Sequence, residues 1–368
     1  MSNQKIKIYY ILGPLGYGGA ERLVVDMVKN LDKNIFLPKV FCIRSKGALA
    51  VELEKIGLEV VVVPKKNKFG LDTIVALTKI FKKEKPDIVH THLFVGDTWG
   101  RLAAVLARVP LIFCTEHNIN MDEGFFRRQL KLVLSFFTNK FFAVSKAVKT
   151  HSIKKDKISA KKMQVIYNGI DINKFKQSEF KFNLQNPILT CVGRLEEQKG
   201  QRYLIAAMPE IIKKYPSVCL WLVGSGSQQV VLENQIKNLN LNNNVSLIPA
   251  TQAVSDILNQ TDIFVLPSLW EGLGIVLLEA LASFKPVVAS QILAVDEIIV
   301  HNKTGLLATP KDSHDLAQKI LMYLDDQNLA KALAKAGQQM VIDNFGIKKI
   351  TSLYQKEYLN FYEGLTNK

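Results

Sequence analysis

The chain lacks any apolar run near the ~18 residues that a membrane-spanning helix needs, so no spanning segment is expected. Lys5 and Lys7 precede IYYIL, but that apolar segment stops at Gly13-Pro14, well short of a signal peptide's apolar core. Cysteine is scarce, with four in 368 residues, and a disulfide framework is not expected at this size. Cys42, Cys114, Cys191 and Cys219 each lie inside an apolar run (VFCI, LIFC, LTCV, VCLWLV). They read as core positions of four different strands, and a reducing cytoplasm fits them. The six histidines form no ligand-like cluster and Asp-x-Asp is absent, so neither a metal nor a cofactor is expected. Internal repeats and low-complexity tracts are missing too.

What is present is uneven charge. Residues 1–180 carry 31 Lys and Arg against 16 Asp and Glu, whereas 181–368 carry 17 of each. The whole excess of +15 lies in the first half. Such asymmetry points to an anionic partner for that half, whether nucleic acid, acidic lipid or acidic substrate. A solvated lysine-rich surface is the plain alternative.

The length suits two domains, each with its own core. Strands buried on both faces read as continuous apolar runs, and alternation with helices implies a parallel sheet. Such runs occur at 6–12, 39–43, 60–63, 87–92, 111–116, 141–145 and 165–167, with helical patterns between them at 20–31, 71–83 and 98–108. The polar, turn-rich stretch 168–187 breaks the rhythm. A second series follows at 188–192, 219–223, 245–248, 263–266, 286–289 and 305–308, then helical patterns at 312–324, 328–344 and 347–362. The expected fold class is α/β, with two Rossmann-like doubly wound domains at 1–170 and 188–346. A linker at 171–187 joins them, and the last helix, 347–368, completes the first. Ligands bind beyond the carboxyl ends of such strands, and two units facing each other would form a cleft.

The stretch 263–289 organises the second half. Its apolar run, closed by Pro267, reads as a buried strand. Glu271, Gly272, Leu273 and Gly274 follow, then Ile275 opens a segment that is apolar all round except for Glu279. A helix with no polar face is buried, so Glu279 needs a partner. A ligand's hydroxyl pair suits it, since a carboxylate accepts two hydrogen bonds side by side. The glycines let a ligand approach backbone N–H groups at the helix start, where phosphate is favoured. Strand, glycine loop and two inward carboxylates suggest a sugar-nucleotide site; a surface Glu on a frayed helix is the plain alternative. Gly13, Gly16, Gly18 and Gly19 follow the first strand without matching GxGxxG, which suits phosphate or sugar near the backbone without saying which. Arg194 and Lys199 precede a helix at about 201; they could clamp a diphosphate or pair with Glu196 and Glu197. His90, His92 and His117 end strands, and His117, in TEHN, is the most suggestive. GSGS at 224–227 is too loose a hydrolase elbow to count.

Taken in order, GGAER (18–22), TEHN (115–118), VSKAV (144–148), VIYNGID (165–171), VGRLEEQKG (192–200), VLPSLWEGLGIVLLEALA (265–282) and NKTGLL (302–307) are highly specific as a set. On these segments, which span nearly the whole chain, it resembles the retaining glycosyltransferases of family four, with the two-Rossmann GT-B architecture. The resemblance implies a nucleotide-diphosphate sugar donor, a UDP-sugar first among them, lying between the domains. It implies Arg194 and Lys199 as a diphosphate clamp, Glu271 holding the donor sugar's hydroxyls and Glu279 the ribose diol. The backbone at Gly272, Leu273, Gly274 and Ile275 would cradle the donor, and Gly18 and Gly19 would close on it from the other side. His117 matches the active-site histidine near the sugar. Phe284 stands where the family usually has Gly, and Leu293-Ala294 and Asp296-Glu297 where it often has Gly-Gly and Pro-Glu. Donor choice therefore does not carry over.

The reading is a cytoplasmic enzyme that moves a hexose or N-acetylhexosamine with retention and without a metal. The acceptor is a glycan or lipid-linked glycan of a lipopolysaccharide, capsule or other surface polysaccharide. The alternatives are a sugar-nucleotide epimerase of this architecture, a two-lobed solute-binding protein, which would need export, and a basic nucleic-acid-binding protein; no nucleic acid is expected. Within the basic half, FFRRQLKLVLSFF (125–137) sets Phe125, Phe126, Arg127, Arg128 and Lys131 among large apolar side chains, the pattern of an interfacial segment. These five are expected to contact an anionic membrane, at the inner face of the plasma membrane. The plain alternative has Leu130, Val133, Leu134 and Phe137 facing the domain core.

Overall fold

A computed structural model of the protein describes residues 5–66, 70–119, 124–176, 179–251 and 253–366. The chain divides into two compact units, 1–169 with 347–368, and 170–346. The first holds seven parallel strands: β1 Ile6–Leu12, β2 Phe36–Ile43, β3 Val60–Val63, β4 Ile88–His92, β5 Leu111–Glu116, β6 Lys140–Ala143 and β7 Met163–Val165. Their order is β3-β2-β1-β4-β5-β6-β7. The winding reverses between β1 and β4, where Ile8 pairs with Ile88, so the ends of these two strands form a switch point. β2 starts three residues before its expected position and contains Pro38. There β3 has not yet begun to pair, its register covering only Val40–Ile43, so the missing N–H faces an open edge. β7 sits two residues earlier than expected because Met163 is the buried residue that pairs with Phe141.

Successive side chains on β1 serve opposite faces. Tyr10 joins a core with Val24, Phe113, Phe142, Tyr354 and Tyr358, whereas Tyr9 joins Phe41, Leu77, Phe81 and Trp99 on the other. Helix Ile347–Thr366 closes the first of these, laying Ile350, Tyr354 and Tyr358 on the sheet at helical spacing. Beside β1, the helix expected at 98–108 opens with a wide turn, Gly96–Gly100, before Arg101–Leu106. Gly96 allows the close approach: a Cβ there would lie 2.3 Å from the Ile11 carbonyl oxygen.

The second unit holds six parallel strands: β8 Ile188–Val192, β9 Cys219–Val223, β10 Val245–Ile248, β11 Ile263–Leu266, β12 Val287–Ser290 and β13 Leu306–Ala308. Their order, β10-β9-β8-β11-β12-β13, reverses between β8 and β11. The stretch read from sequence as a linker carries a short helix, Ile172–Phe175, and its Phe180 and Phe182 pack against the core of this unit. The four cysteines lie on β2, β5, β8 and β9 as free thiols. Among the described residues no helix is long and apolar enough to cross a membrane.

Candidate active site

In the second unit the expected residues sit on the loops that leave β8 and β11, the two strands at the switch point. Gly200 has φ +63°, and a Cβ on it would lie 2.0 Å from the carbonyl oxygen of Pro267, which follows β11. Glycine is required there for both reasons. The Leu269 N–H donates to the Gln198 carbonyl at 2.8 Å, and the Gln198 side-chain amide donates to the Trp270 carbonyl at 2.9 Å. These straps bring together side chains far apart in sequence. Lys199 Nζ donates to Glu271 Oε1 at 2.6 Å, and Ser268 Oγ donates to the same oxygen at 2.7 Å. The ion pair is largely buried, Lys199 at 14% side-chain exposure and Glu271 at 6%.

Gly274, with φ +81°, turns the chain into helix Ile275–Ala282. As its all-apolar sequence predicts, nearly every residue of this helix is buried, Glu279 included. Leu273 and Ile275 are buried beside it. Arg194 is exposed, and its Nη2 reaches Gln198 Oε1 at 3.3 Å. Glu196 instead accepts from the Ser227 N–H at 3.0 Å and the Ser227 hydroxyl at 2.7 Å. The GSGS segment is thus a strap against the β8 loop; a Cβ on Gly226 would lie 2.3 Å from the Leu195 carbonyl oxygen.

In the first unit Gly18 caps helix Gly19–Asn30 after β1. The Glu21 carboxylate folds back over it, 2.1 Å from where a Cβ on Gly18 would stand. Arg22 of the same motif is held within the unit, donating to Asp26 and to Glu52. The three histidines divide into two roles. His90 is structural: its Nδ1 lies 2.6 Å from the Tyr358 hydroxyl and its Nε2 2.8 Å from Thr115 Oγ1. It fastens the last helix to the sheet. His92, at the end of β4, places Nδ1 2.9 Å from Nε2 of His117, just past β5. Burial pushes His117 down to about 3 and His92 well below its ordinary value, so both rings are neutral at pH 7.

Next to His117 lies a buried charge network that the sequence reading missed. Arg101 pairs with Asp97 at 2.6 Å, the Cys114 thiol donates to Asp97, and Lys131 bridges Glu116 at 2.8 Å and Asp156 at 2.7 Å. Burial opposes the charge on Lys131, yet the two carboxylates outweigh it and hold its pKa above the usual value. Asp97, Cys114 and Glu116 offer ligand atoms within 4.8 Å of one another. Arg101 and Lys131 already supply the positive charge those carboxylates need.

This network corrects the expectation for helix Phe125–Phe137. Lys131 does not contact a membrane, because it is buried and paired inward. Arg127 stacks on Phe94 with its guanidinium carbon 3.8 Å from the ring centre, and Arg128 is half-buried. The alternative in which Leu130, Val133 and Phe137 face the core is overturned as well. Of that set only Leu134 is buried. Phe126, Leu130, Val133 and Phe137 form an outward stripe, 87, 38, 54 and 55% exposed, flanked by Phe125 and Phe136.

Comparison with known proteins places both halves in one family. Residues 17–174 match the model of Glycosyltransferase Family 4, and 172–340 that of Glycosyl transferases group 1. The UDP-Gal:alpha-D-GlcNAc-diphosphoundecaprenol alpha-1,3-galactosyltransferase of Escherichia coli is 30% identical over 309 residues, covering 79% of each chain. The capsular polysaccharide biosynthesis glycosyltransferase CapM of Staphylococcus aureus is 26% identical over 98% of both. Among solved structures, Anabaena Alr3699/HepE in complex with UDP and glucose superposes with a TM-score of 0.87 at 24% identity, covering 96% of this chain and all of that one. That last likeness establishes the fold, a pair of parallel-sheet α/β units of GT-B type. With the family models meeting end to end and the galactosyltransferase matched over most of its length, the chain belongs to the family four (group 1) glycosyltransferases.

Proposed function

We propose that this glycosyltransferase moves a hexose or N-acetylhexosamine, with retention and without a metal, from a UDP-sugar to a lipid-linked glycan on the cytoplasmic face of a membrane. The observation that carries the reading is Lys199 held against Glu271 by the straps between the β8 and β11 loops, with Arg194 exposed beside it. An ammonium has three N–H donors. One goes to Glu271, and the others can meet a diphosphate. As the bond between sugar and diphosphate breaks, negative charge grows on the leaving group; Lys199 and Arg194 stabilise that charge from fixed positions. Glu271 keeps acceptor capacity for sugar hydroxyls, and buried Glu279 suits a ribose diol. The backbone at Gly272–Ile275 opens the helix whose start favours phosphate. His117 stands for the sugar side, and Gly18 and Gly19 for the glycine loop that approaches the donor. Retention rests on the family's chemistry, and the acceptor class on one relative named for a diphosphoundecaprenol-linked acceptor and another named for capsular polysaccharide biosynthesis.

The membrane partner is supported by the outward stripe of helix Phe125–Phe137 and by the basic excess of the first unit. Aromatic side chains insert at the interface while surrounding lysines meet anionic headgroups. The enzymatic reading is tested with a panel of nucleotide sugars. A donor at ~100 times its dissociation constant should add about 2.7 kcal/mol against thermal unfolding. Transfer from that donor should survive EDTA and be nearly abolished by Arg194→Ala or Lys199→Ala. Loss of transfer in EDTA, restored by manganese or magnesium, refutes the metal-free clamp.

A further inference from the structure

We propose that His92 is a positioning residue that fixes the proton on His117, so that His117 offers its Nδ1–H to the ligand. The proposal rests on His117 belonging to the site. His92 ends β4 and His117 follows β5, neighbouring parallel strands in which His92 is the register partner of Thr115. The two rings meet at 2.9 Å, Nδ1 of His92 against Nε2 of His117. A neutral imidazole has one N–H and one bare nitrogen, so this single hydrogen bond locks both tautomers together. If His92 Nδ1 donates, His117 carries its proton on Nδ1 and His92 Nε2 is bare. If His117 Nε2 donates, His92 carries its proton on Nε2 and His117 Nδ1 is bare.

The surroundings choose between the two arrangements. His92 Nε2 and His117 Nδ1 are both buried with no hydrogen-bond partner among the described residues. His92 is wholly buried within β4, whereas His117 is a half-buried residue just past the carboxyl end of β5, the end of such a sheet where ligands bind. An orphaned buried N–H is rarer in proteins than an under-satisfied acceptor. The bare nitrogen therefore belongs on His92, and the N–H on the ring that a ligand can reach. Both rings are neutral because of burial, so neither carries a second N–H that would undo the lock. His90, two residues before His92 on the same side of β4, takes no part, since Tyr358 and Thr115 occupy both of its nitrogens. An N–H on His117 can donate to a sugar hydroxyl or to an oxygen gaining charge in the transition state. A bare nitrogen there would face the same oxygen lone pair to lone pair.

The test begins without ligand. Ring 15N correlation spectra of histidine-labelled protein tell a protonated ring nitrogen from a bare one. Native His117 should be neutral with its proton on Nδ1. In His92→Phe it should exchange between tautomers, and His92→Gln, whose amide can donate to Nε2, should restore the native signature. A native His117 protonated on Nε2, or one unmoved by His92→Phe, overturns the proposal. UDP release from UDP-galactose supplies the second readout. His92→Phe should lower kcat about 10- to 100-fold with KM changed less than about twofold, and His92→Gln should recover most of the loss. If His117→Ala lowers kcat and His92→Phe does not, the positioning role alone fails. If His117→Ala leaves kcat unchanged, the site reading falls and takes this proposal with it.

Discussion

Acidification from pH 7.5 to 5.5 should weaken the first unit far more than the second. His90, His92 and His117 all belong to the first unit's sheet and are held neutral by burial, with pKa values pushed below the ordinary 6.5. In the unfolded chain each takes a proton as the pH falls through about 6.5, while the folded unit does not. The unfolded state then binds more protons, so stability falls with pH. A histidine with an unfolded pKa of about 6.5 that stays neutral when folded loses about 1.4 kcal/mol by pH 5.5. Three lose about 4 kcal/mol, a large share of the ~5–15 kcal/mol that holds a domain together. His151, also lowered by burial, adds to the loss, and Glu116, raised by burial, works in the opposite direction. In the second unit the exposed His314 is raised by its bond to Glu210, so acid favours that contact. Tryptophans report the units separately: Trp99 lies in the first, Trp221 and Trp270 in the second. Urea unfolding followed by Trp99 fluorescence in a Trp221→Phe/Trp270→Phe variant should show the large shift. A Trp99→Phe variant, reporting on the second unit, should not. His92→Phe should cut the first unit's shift by about a third, one proton of three. Midpoints that move together, or a first unit unmoved by acid, would refute the picture of buried neutral histidines.

Three further outcomes are expected. Phe284 holds φ +57°, a left-handed conformation that favours glycine, while its ring packs 5.5 Å from Phe180. Phe284→Ala loses the packing and keeps the strain, whereas Phe284→Gly loses the packing and relieves about 1 kcal/mol of strain; urea unfolding should therefore rank Gly above Ala, and the reverse order sinks the strain argument. On the helix Phe125–Phe137, Phe126→Ser with Phe136→Ser should abolish most co-sedimentation with anionic liposomes and leave the fold intact, while Lys131→Met should instead cost roughly 3 kcal/mol of stability by stranding Glu116 and Asp156. Equal binding by the two-serine variant refutes the outward stripe as the contact.

The sheets were legible because their strands are buried on both faces and read as unbroken apolar runs. Runs such as 60–63, 188–192 and 263–266 needed no partner to be recognised. The helix holding Glu279 was legible for the same reason, having no polar face. The Lys199–Glu271 contact was not, since the two are 72 residues apart and meet only through the straps at Gly200, Gln198 and Trp270. His92 left a faint signal: His90 and His92 alternate at a strand end, which puts both on one face. It takes the register of β4 on β5 to reveal that only the second reaches His117. Arg101 was a clearer missed sign, a lone cation in the apolar run GRLAAVLA that had to find a buried carboxylate.

Helix Phe125–Phe137 shows why periodicity alone could not choose a face. Phe126, Leu130, Val133 and Phe137 follow one another at intervals of four, three and four, the spacing of a core-facing stripe. Lys131, Leu134 and Ser135 occupy the opposite side, and that side faces inward. The decision lies in what waits beneath. Glu116 and Asp156 are buried, and an uncompensated buried carboxylate costs several kcal/mol. Lys131 is the cation that reaches both. Turning the helix over would bury four apolar side chains, at ~1.5–3 kcal/mol each. It would also strand two carboxylates and drive Lys131 into solvent. The ion-paired orientation leaves Phe125, Phe126, Phe136 and Phe137 together at the surface, and contiguous exposed apolar patches mark interaction surfaces. The charge network thus does two things at once: it neutralises the floor beside His117, and it holds outward the face proposed to meet the membrane. In the proposed membrane contact the exposed aromatic side chains therefore take the larger part, since Lys131 is paired inward.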